Sequence, residues 1–301
     1  MLRITADVRR AINAGLPVVA LESSVLAQGL PVPANQEAAE RMERALREST
    51  AVPAVTAVLG GTPTLGVLPD EMERLLARDG VRKVSARDLP TCIAQSADGA
   101  TTVSAALALA RAAGVQVFAT GGIGGVHRGA PYDESADLRE LSRTPMLVVC
   151  TGAKSILDLP GTLERLESYG VTVIGFRTDE LPGFFTASTG LRLPSRADSE
   201  REIADAFRAA RALQLPGAIL VVQPPPAAHA LERDVMERAV EAALDQAARK
   251  GVTGAGVTPF LLEEVERHTS GRSLGANLAL LEENAALAGR LALELSSGSR
   301  H

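Results

Sequence analysis

The sequence predicts an α/β fold, a three-layer α-β-α sandwich around a mostly parallel or mixed central sheet. Three observations predict it. Short apolar runs rich in Val and Ile recur along the chain without polar alternation, as in strands covered on both faces. Helix-length segments separate them, the alternation that builds layered α/β domains. Apolar residues make up 46% of the 301 residues, with aromatics at only 3% and no Trp, so the core they fill is aliphatic.

Taken in order, Pro17–Leu21 is the first strand, and Ala34–Glu48 follows as a helix with Asn35 near its start. Val55–Leu59 is the second strand and Pro69–Ala77 a second helix. Thr101–Ala113 is helical and closes at Gly114, a natural C-cap. Strands Gln116–Ala119, Met146–Cys150, Val171–Gly175 and Ala218–Val222 come next. The remaining helices are Ser199–Leu213, Glu232–Lys250 (closed by Gly251), Thr258–Thr269 and Ser273–Leu295. QPPPAAHA, Gln223–Ala230, reads as a stiff loop. With no internal repeat and no convincing linker, residues 1–301 are expected to form a single catalytic domain, with 296–301 a flexible tail.

The net charge of −5 spreads over both signs with no basic block. That excludes an obvious nucleic-acid surface and leaves room for a phosphorylated small molecule. No apolar run reaches the roughly 18–20 residues of a membrane span. MLRITADVRRAINAG lacks the apolar stretch of a signal peptide, so a cytoplasmic protein is expected. Cys92 and Cys150 lie in apolar surroundings without metal-type spacing and are expected to be buried reduced thiols.

Lysine is scarce: of the 31 basic side chains only Lys83, Lys154 and Lys250 are lysines. Lys154 stands in VVCTGAKSILDLP, between apolar and small residues. A lysine desolvated there would lose its proton more readily and become a nucleophile, which arginine cannot do. The order strand, Gly-Ala, Lys, helix also predicts a helix N-terminus beside it, which disfavours the ammonium further. Lys83, in VRKVSARDLP, suits either a phosphate partner or the surface. Lys250 closes a helix in QAARKG, where a cation complements the dipole.

Three other stretches carry candidate chemistry. Glu22 in ALESSVLAQGLP sits at a strand end, where α/β folds collect ligands and where partial burial favours general-acid work. ATGGIGGVHRG, Ala119–Gly129, holds five glycines in eleven residues. It follows a strand and suits either a tight crossing or an anion-cradling loop, with His127 and Arg128 as donors at its end. It matches neither a dinucleotide fingerprint nor a P-loop. PYDESADLRE offers Asp133, Glu134 and Asp137 beside Ser135. A capped helix start and a hard divalent-ion site are both open for it.

In this order, ALESSVLAQGLPVPANQEAA, KVSARDLP, DGATTVSAALALARAAGVQVFATGGIGGVHRGA, SADL and TGAKSILDLP resemble the pseudouridine-5′-phosphate glycosidase family, which includes the indigoidine-synthase-A-like proteins. VTPFLLEEV and SLGANLALLEENAAL extend the resemblance to about Leu287. It implies reversible cleavage of pseudouridine 5′-phosphate to uracil and ribose 5-phosphate, with one divalent ion per subunit, typically Mn²⁺, in a homotrimer. By motif, Lys154 resembles the family's nucleophile, Glu22 its proton donor and Asp133 its metal-binding aspartate. Ser135, Ala136 and Asp137 match the substrate-binding SAD segment, and Lys83 and Val103 match substrate-contacting positions. Thr120, His127 and Asn277 fall on motifs lining the same site. Ser24 stands where the family has threonine and keeps the hydroxyl. Two rival readings remain: a Schiff-base aldolase or lyase on another sugar phosphate, and a non-catalytic sugar-phosphate sensor.

Overall fold

The computed structural model describes residues 1–129, 132–252 and 256–297. The predicted strands form the middle of one sheet. Across it run Val52–Leu59, Val18–Leu21, Val117–Ala119, Leu147–Cys150, Ile219–Val222 and Thr172–Phe176, each parallel to its neighbour. The register places Ala54, Ala20, Phe118, Val148, Leu220 and Val173 in one row across the sheet. The next row, Leu21, Ala119, Val149, Val221 and Ile174, points to the opposite face, and both rows are buried. Burial of successive residues is why these strands read as unbroken apolar runs. Each fully buried Val or Leu contributes roughly 1.5–3 kcal/mol.

The sheet is mixed at one edge. Thr62–Leu65 and Gly99–Thr101 run antiparallel to Val52–Leu59, while Arg3–Ile4 and Arg82–Val84 extend these parallel to them. The long helix Arg272–Ser297 lies across three central strands and packs against Ala34–Glu48 and Glu200–Ala212. Val103–Ala112 and Ala136–Leu141 pack together in the other layer. One aliphatic cluster runs through the layers, with two small satellites under the mixed edge.

Helices Ala34–Glu48 and Pro69–Ala77 match expectation residue for residue. Four points differ. Thr101 belongs to the strand Gly99–Thr101, and the helix starts at Val103, because Thr101 is drawn into a buried hydroxyl cluster. No helix starts beside Lys154. A turn and the short strand Leu157–Asp158 intervene, and the next helix is Leu159–Ser168. The C-terminal helix continues through Ser296 and Ser297, whose hydroxyls both bond the Leu293 carbonyl. The rest of the expected tail, 298–301, lies outside the described residues. Helices Ala6–Asn13, Leu89–Ala94 and Leu159–Ser168 were not anticipated.

Both cysteines are free and buried, as expected, and burial pushes the Cys150 thiol up to about 12. Lys250 lies 3.7 Å from Glu264 and 5.0 Å from the centre of the Phe260 ring at its helix end. Among the described residues no helix is long and apolar enough to cross a membrane.

The strand order has one consequence for function. From Val18–Leu21 the chain moves to one side of the sheet; Val117–Ala119 later pairs on its other side and leads away in the opposite direction. The carboxyl ends of these two strands flank a topological switch point, the crevice where open α/β sheets bind ligands.

Candidate active site

Glu22 follows the first of these strands directly and Thr120 follows the second. The Glu22 side chain is buried, and Thr120 Oγ1 and Ser24 Oγ donate to its two carboxyl oxygens. Behind it, Ser23, Thr56 and Thr101 form a fully buried hydroxyl cluster: Ser23 Oγ donates to the Thr56 carbonyl at 2.7 Å and accepts from the Thr101 amide at 2.9 Å. These bonds pin the chain on either side of Glu22 and leave its carboxyl facing a cleft of about 340 Å³. Past Ser24 the backbone takes a turn of π-helix, Val25–Gly29, a feature frequent at functional sites.

Lys154 comes from the third strand end, Leu147–Cys150, through Thr151–Ala153. It is half-buried in the same cleft; its amide donates to the Ile123 carbonyl at 3.1 Å and its Nζ to the Gly122 carbonyl at 2.8 Å. The turn requires Gly152, which has φ +80° and whose added Cβ would lie 2.3 Å from the Pro182 carbonyl oxygen.

In the glycine-rich loop the structure shows the tight crossing, at the edge of the cleft. Gly121, Gly122 and Gly124 line the cleft, yet a Cβ on Gly124 would sit 2.2 Å from Ser135 Oγ. Close crossing therefore dictates glycine there, and it brings the Gly124 amide to Asp137 Oδ2 at 2.9 Å. Asp137 Oδ1 accepts from the Ser104 amide at 2.9 Å. This buried carboxylate thus ties the glycine loop to the first turn of Val103–Ala112. Ser135 caps Ala136–Leu141 by accepting from the Asp137 amide, so the capped-helix reading holds.

Lys83, exposed at the cleft mouth, is held below the usual lysine range by desolvation and then by the like charge of Lys154; Glu22 and Asp137 pull the other way. Water on its open side screens part of this. Val103 opens its helix at the cleft wall; Thr102 before it makes no side-chain cap bond, and Asp137 takes the next amide, that of Ser104. His127, Asp133, Ala136 and Asn277 line the same cleft. The structure brings all eleven positions expected for catalysis, substrate and metal, Thr120 among them, to the lining of this one cleft. Arg128 is the exception to the loop-donor expectation, since its guanidinium is spent on carbonyls and Glu237.

Gln28 and Phe184 in the lining, and Asn284 behind it, were not foreseen. Gln28 Oε1 and Asn277 Oδ1 are buried side-chain acceptors without a hydrogen-bond partner among the described residues. Phe184, at φ +66°, presents its ring over Gly121 and Gly122. Asn284, buried in the long helix, gives its amide hydrogens to the Thr120 carbonyl (2.9 Å) and Thr151 Oγ1 (3.0 Å) and accepts from Gln223 Nε2 at 2.9 Å. It joins three strand ends. An asparagine on an otherwise apolar helix face was the available signal. Asn284→Leu is expected to destabilise the protein by roughly 2–5 kcal/mol, since several buried polar groups lose partners at about 1–3 kcal/mol each. Denaturant unfolding measures it, and a loss under about 0.5 kcal/mol would contradict the hub role.

Three of the acids in the 133–137 stretch behave differently. Glu134 pairs with Arg165, Asp137 takes two backbone amides, and the Asp133 side chain has no such partner among the described residues. No group of three or more His, Cys, Asp or Glu that could hold an ion occurs among the described residues.

Comparison with known proteins agrees in length and fold. A relative from Gemmatimonas aurantiaca, named pseudouridine-5′-phosphate glycosidase, is 60% identical over 99% of this chain and 97% of its own. One of the same name from Chloroflexus aurantiacus is 49% identical over 98% of this chain and 99% of its own. Among solved structures, the prealnumycin C-glycosynthase AlnA in complex with ribulose 5-phosphate superposes with a TM-score of 0.92 at 36% identity, covering 99% of this chain and 98% of that one. An indigoidine synthase A-like protein from Thermotoga maritima gives 0.90 at 37% identity, over 98% and 97%. Matched by the family model from residue 7 to residue 294, the chain belongs to the indigoidine synthase A like protein family.

Proposed function

We infer that the protein is a pseudouridine-5′-phosphate glycosidase, which with water splits the C–C glycosidic bond of its substrate into uracil and ribose 5-phosphate. The observation that carries this is the meeting of Lys154 and Glu22 on one cleft at a switch point, in a chain 60% identical to a relative of that name. A carbon-bonded base is a poor leaving group. Attack of the Lys154 amine at C1′ opens the ribose ring, with the proton passing to O4′. Protonation of uracil C5 by Glu22 lets the C1′–C5 bond break, its electrons returning to the base while the lysine nitrogen forms an iminium. Water then adds at C1′, releasing ribose 5-phosphate and the free amine. Covalent attachment divides one hard step into easier ones.

The other residues take supporting roles in this reading. Lys83, the Ser135 hydroxyl and the amide end at Val103 grip the phosphate, which helix N-termini and ammonium groups favour. The unpartnered carbonyls of Asn277 and Gln28 suit the N–H groups of the base. His127, Ala136 and Asp137 shape the wall, and Thr120 holds Glu22. Asp133, a single hard oxygen donor with free lone pairs, fits a Mn²⁺ ion that keeps most of its waters. Such an ion, when bound, supplies Lewis-acid polarisation and orientation of water and uracil carbonyls. One catalytic domain spanning the chain, a homotrimeric assembly and a cytoplasmic location complete the proposal, in line with the family resemblance.

Incubation with pseudouridine 5′-phosphate, with Mn²⁺ and then with chelator, tests it by chromatography. Equimolar uracil and ribose 5-phosphate are expected with Mn²⁺, falling away with chelator. Folded protein that releases no uracil in either condition would move the assignment to a Schiff-base aldolase or lyase. Binding of ribose 5-phosphate without turnover or adduct would mark a sensor. Uracil release unaffected by chelator would remove the metal from the reading and leave the reaction standing.

A further inference from the structure

Arg128 ends the glycine-rich loop, yet it does not face the cleft. It lines a neighbouring groove of about 400 Å³ together with Ser155, Arg233 and Glu237, and Leu157 is a wall common to groove and cleft. Each nitrogen of its guanidinium makes one hydrogen bond. Nε donates to the Leu157 carbonyl at 3.0 Å, Nη2 to the Ser155 carbonyl at 3.2 Å, and Nη1 to Glu237 Oε2 at 3.2 Å. The two carbonyls belong to the residues one and three places past Lys154. The turn they form closes with the Leu157 amide donating to the Lys154 carbonyl at 3.0 Å, and Leu157–Asp158 then pairs with Val126–His127.

We propose that Arg128 is a positioning residue for Lys154: its planar fork grips the Ser155–Leu157 turn from the groove side and so aims the amine at the sugar carbon. The proposal rests on the reading of Lys154 as nucleophile. No helix stiffens the chain beyond Lys154, so the turn depends on contacts from elsewhere. The Ile123 carbonyl holds the Lys154 amide and Arg128 holds the next residues. A guanidinium presents its donors in a fixed geometry that spans two carbonyls and a carboxylate at once; an ammonium on a flexible stem does not. Small misplacements of a reacting group cost up to about 10²-fold in rate.

Arg128→Ala and Arg128→Lys test this in the full-length enzyme. The readouts are kcat and KM for uracil release, and the rate of borohydride-trapped adduct at Lys154 with ribose 5-phosphate. For Arg128→Ala, kcat and trapping rate are expected to fall about 10–100-fold, with KM changed less than about threefold. Methylguanidinium, below denaturing concentration, is expected to restore part of the loss, which a merely structural role would not show. If Arg128→Ala does not fold, Arg128→Lys decides alone: a loss of about tenfold in trapping at unchanged Tm supports the proposal. A folded variant that traps and turns over within about twofold of wild type, or a loss that methylguanidinium leaves untouched, overturns it. Wild-type enzyme that traps no ribose 5-phosphate would sink the Lys154 reading and this proposal with it, an outcome distinct from normal trapping by both enzymes.

Discussion

Lys154→Ala is expected to lower uracil release by at least about 10³-fold and to abolish borohydride trapping of ribose 5-phosphate. The side chain is half-buried and makes one side-chain hydrogen bond, to the Gly122 carbonyl. Its loss costs stability of about 1 kcal/mol, so the variant should fold. Lys154→Arg should fail as completely, because a guanidinium keeps its proton and offers no free amine. This pair separates chemistry from charge: the arginine variant preserves a cation in the cleft and still loses the adduct. A Lys154→Ala protein that traps labelled sugar would place the nucleophile elsewhere, and Lys83, in the same cleft, would be examined next.

Glu22→Gln is expected to lower kcat for uracil release by about 10²–10⁴-fold, the range for a positioned general acid. Glutamine keeps the shape of the side chain and can still meet the hydroxyls of Ser24 and Thr120, so the surrounding bonds survive. It cannot deliver a proton to uracil C5. Adduct formation from ribose 5-phosphate does not need that proton transfer, so trapping at Lys154 should remain. Loss of trapping and of uracil release together would show Glu22 acting on the sugar rather than on the base. An unchanged kcat would remove it from the chemistry.

The middle of the sheet was legible because strands covered on both faces carry continuous Val and Ile, as in LVVC and ILVV. Two-residue edge strands such as Arg3–Ile4 leave too short a pattern to see. Leu159–Ser168 was hidden by Pro160 and Gly161, poor residues for a helix interior, which here occupy a first helical turn that Asp158 caps through the Gly161 amide at 3.0 Å. In the site, the residues that bear reactive groups were visible as motifs. Their partners were not, because those contacts cross the sequence: Thr120 reaches Glu22 over 98 residues, Asp137 reaches Ser104 over 33, and Asn284 reaches Thr151 over 133. The helix expected beside Lys154 failed for the same reason. SILDL has helical composition, but Arg128 and the strand Val126–His127 hold it as a turn and a strand.

The two hydroxyls on Glu22 bear on how the enzyme is run. A hydroxyl can donate to a carboxylate or, after rotating, accept from a carboxylic acid. In the proposed mechanism the carboxyl can therefore give up its proton to the base and regain one within the cycle while keeping both neighbours. Nothing in that arrangement acts as a ratchet. In that proposed mechanism, joining uracil to ribose 5-phosphate and taking them apart use the same groups in opposite order, so the supply of substrate and products, not the wiring of the site, sets which way it turns.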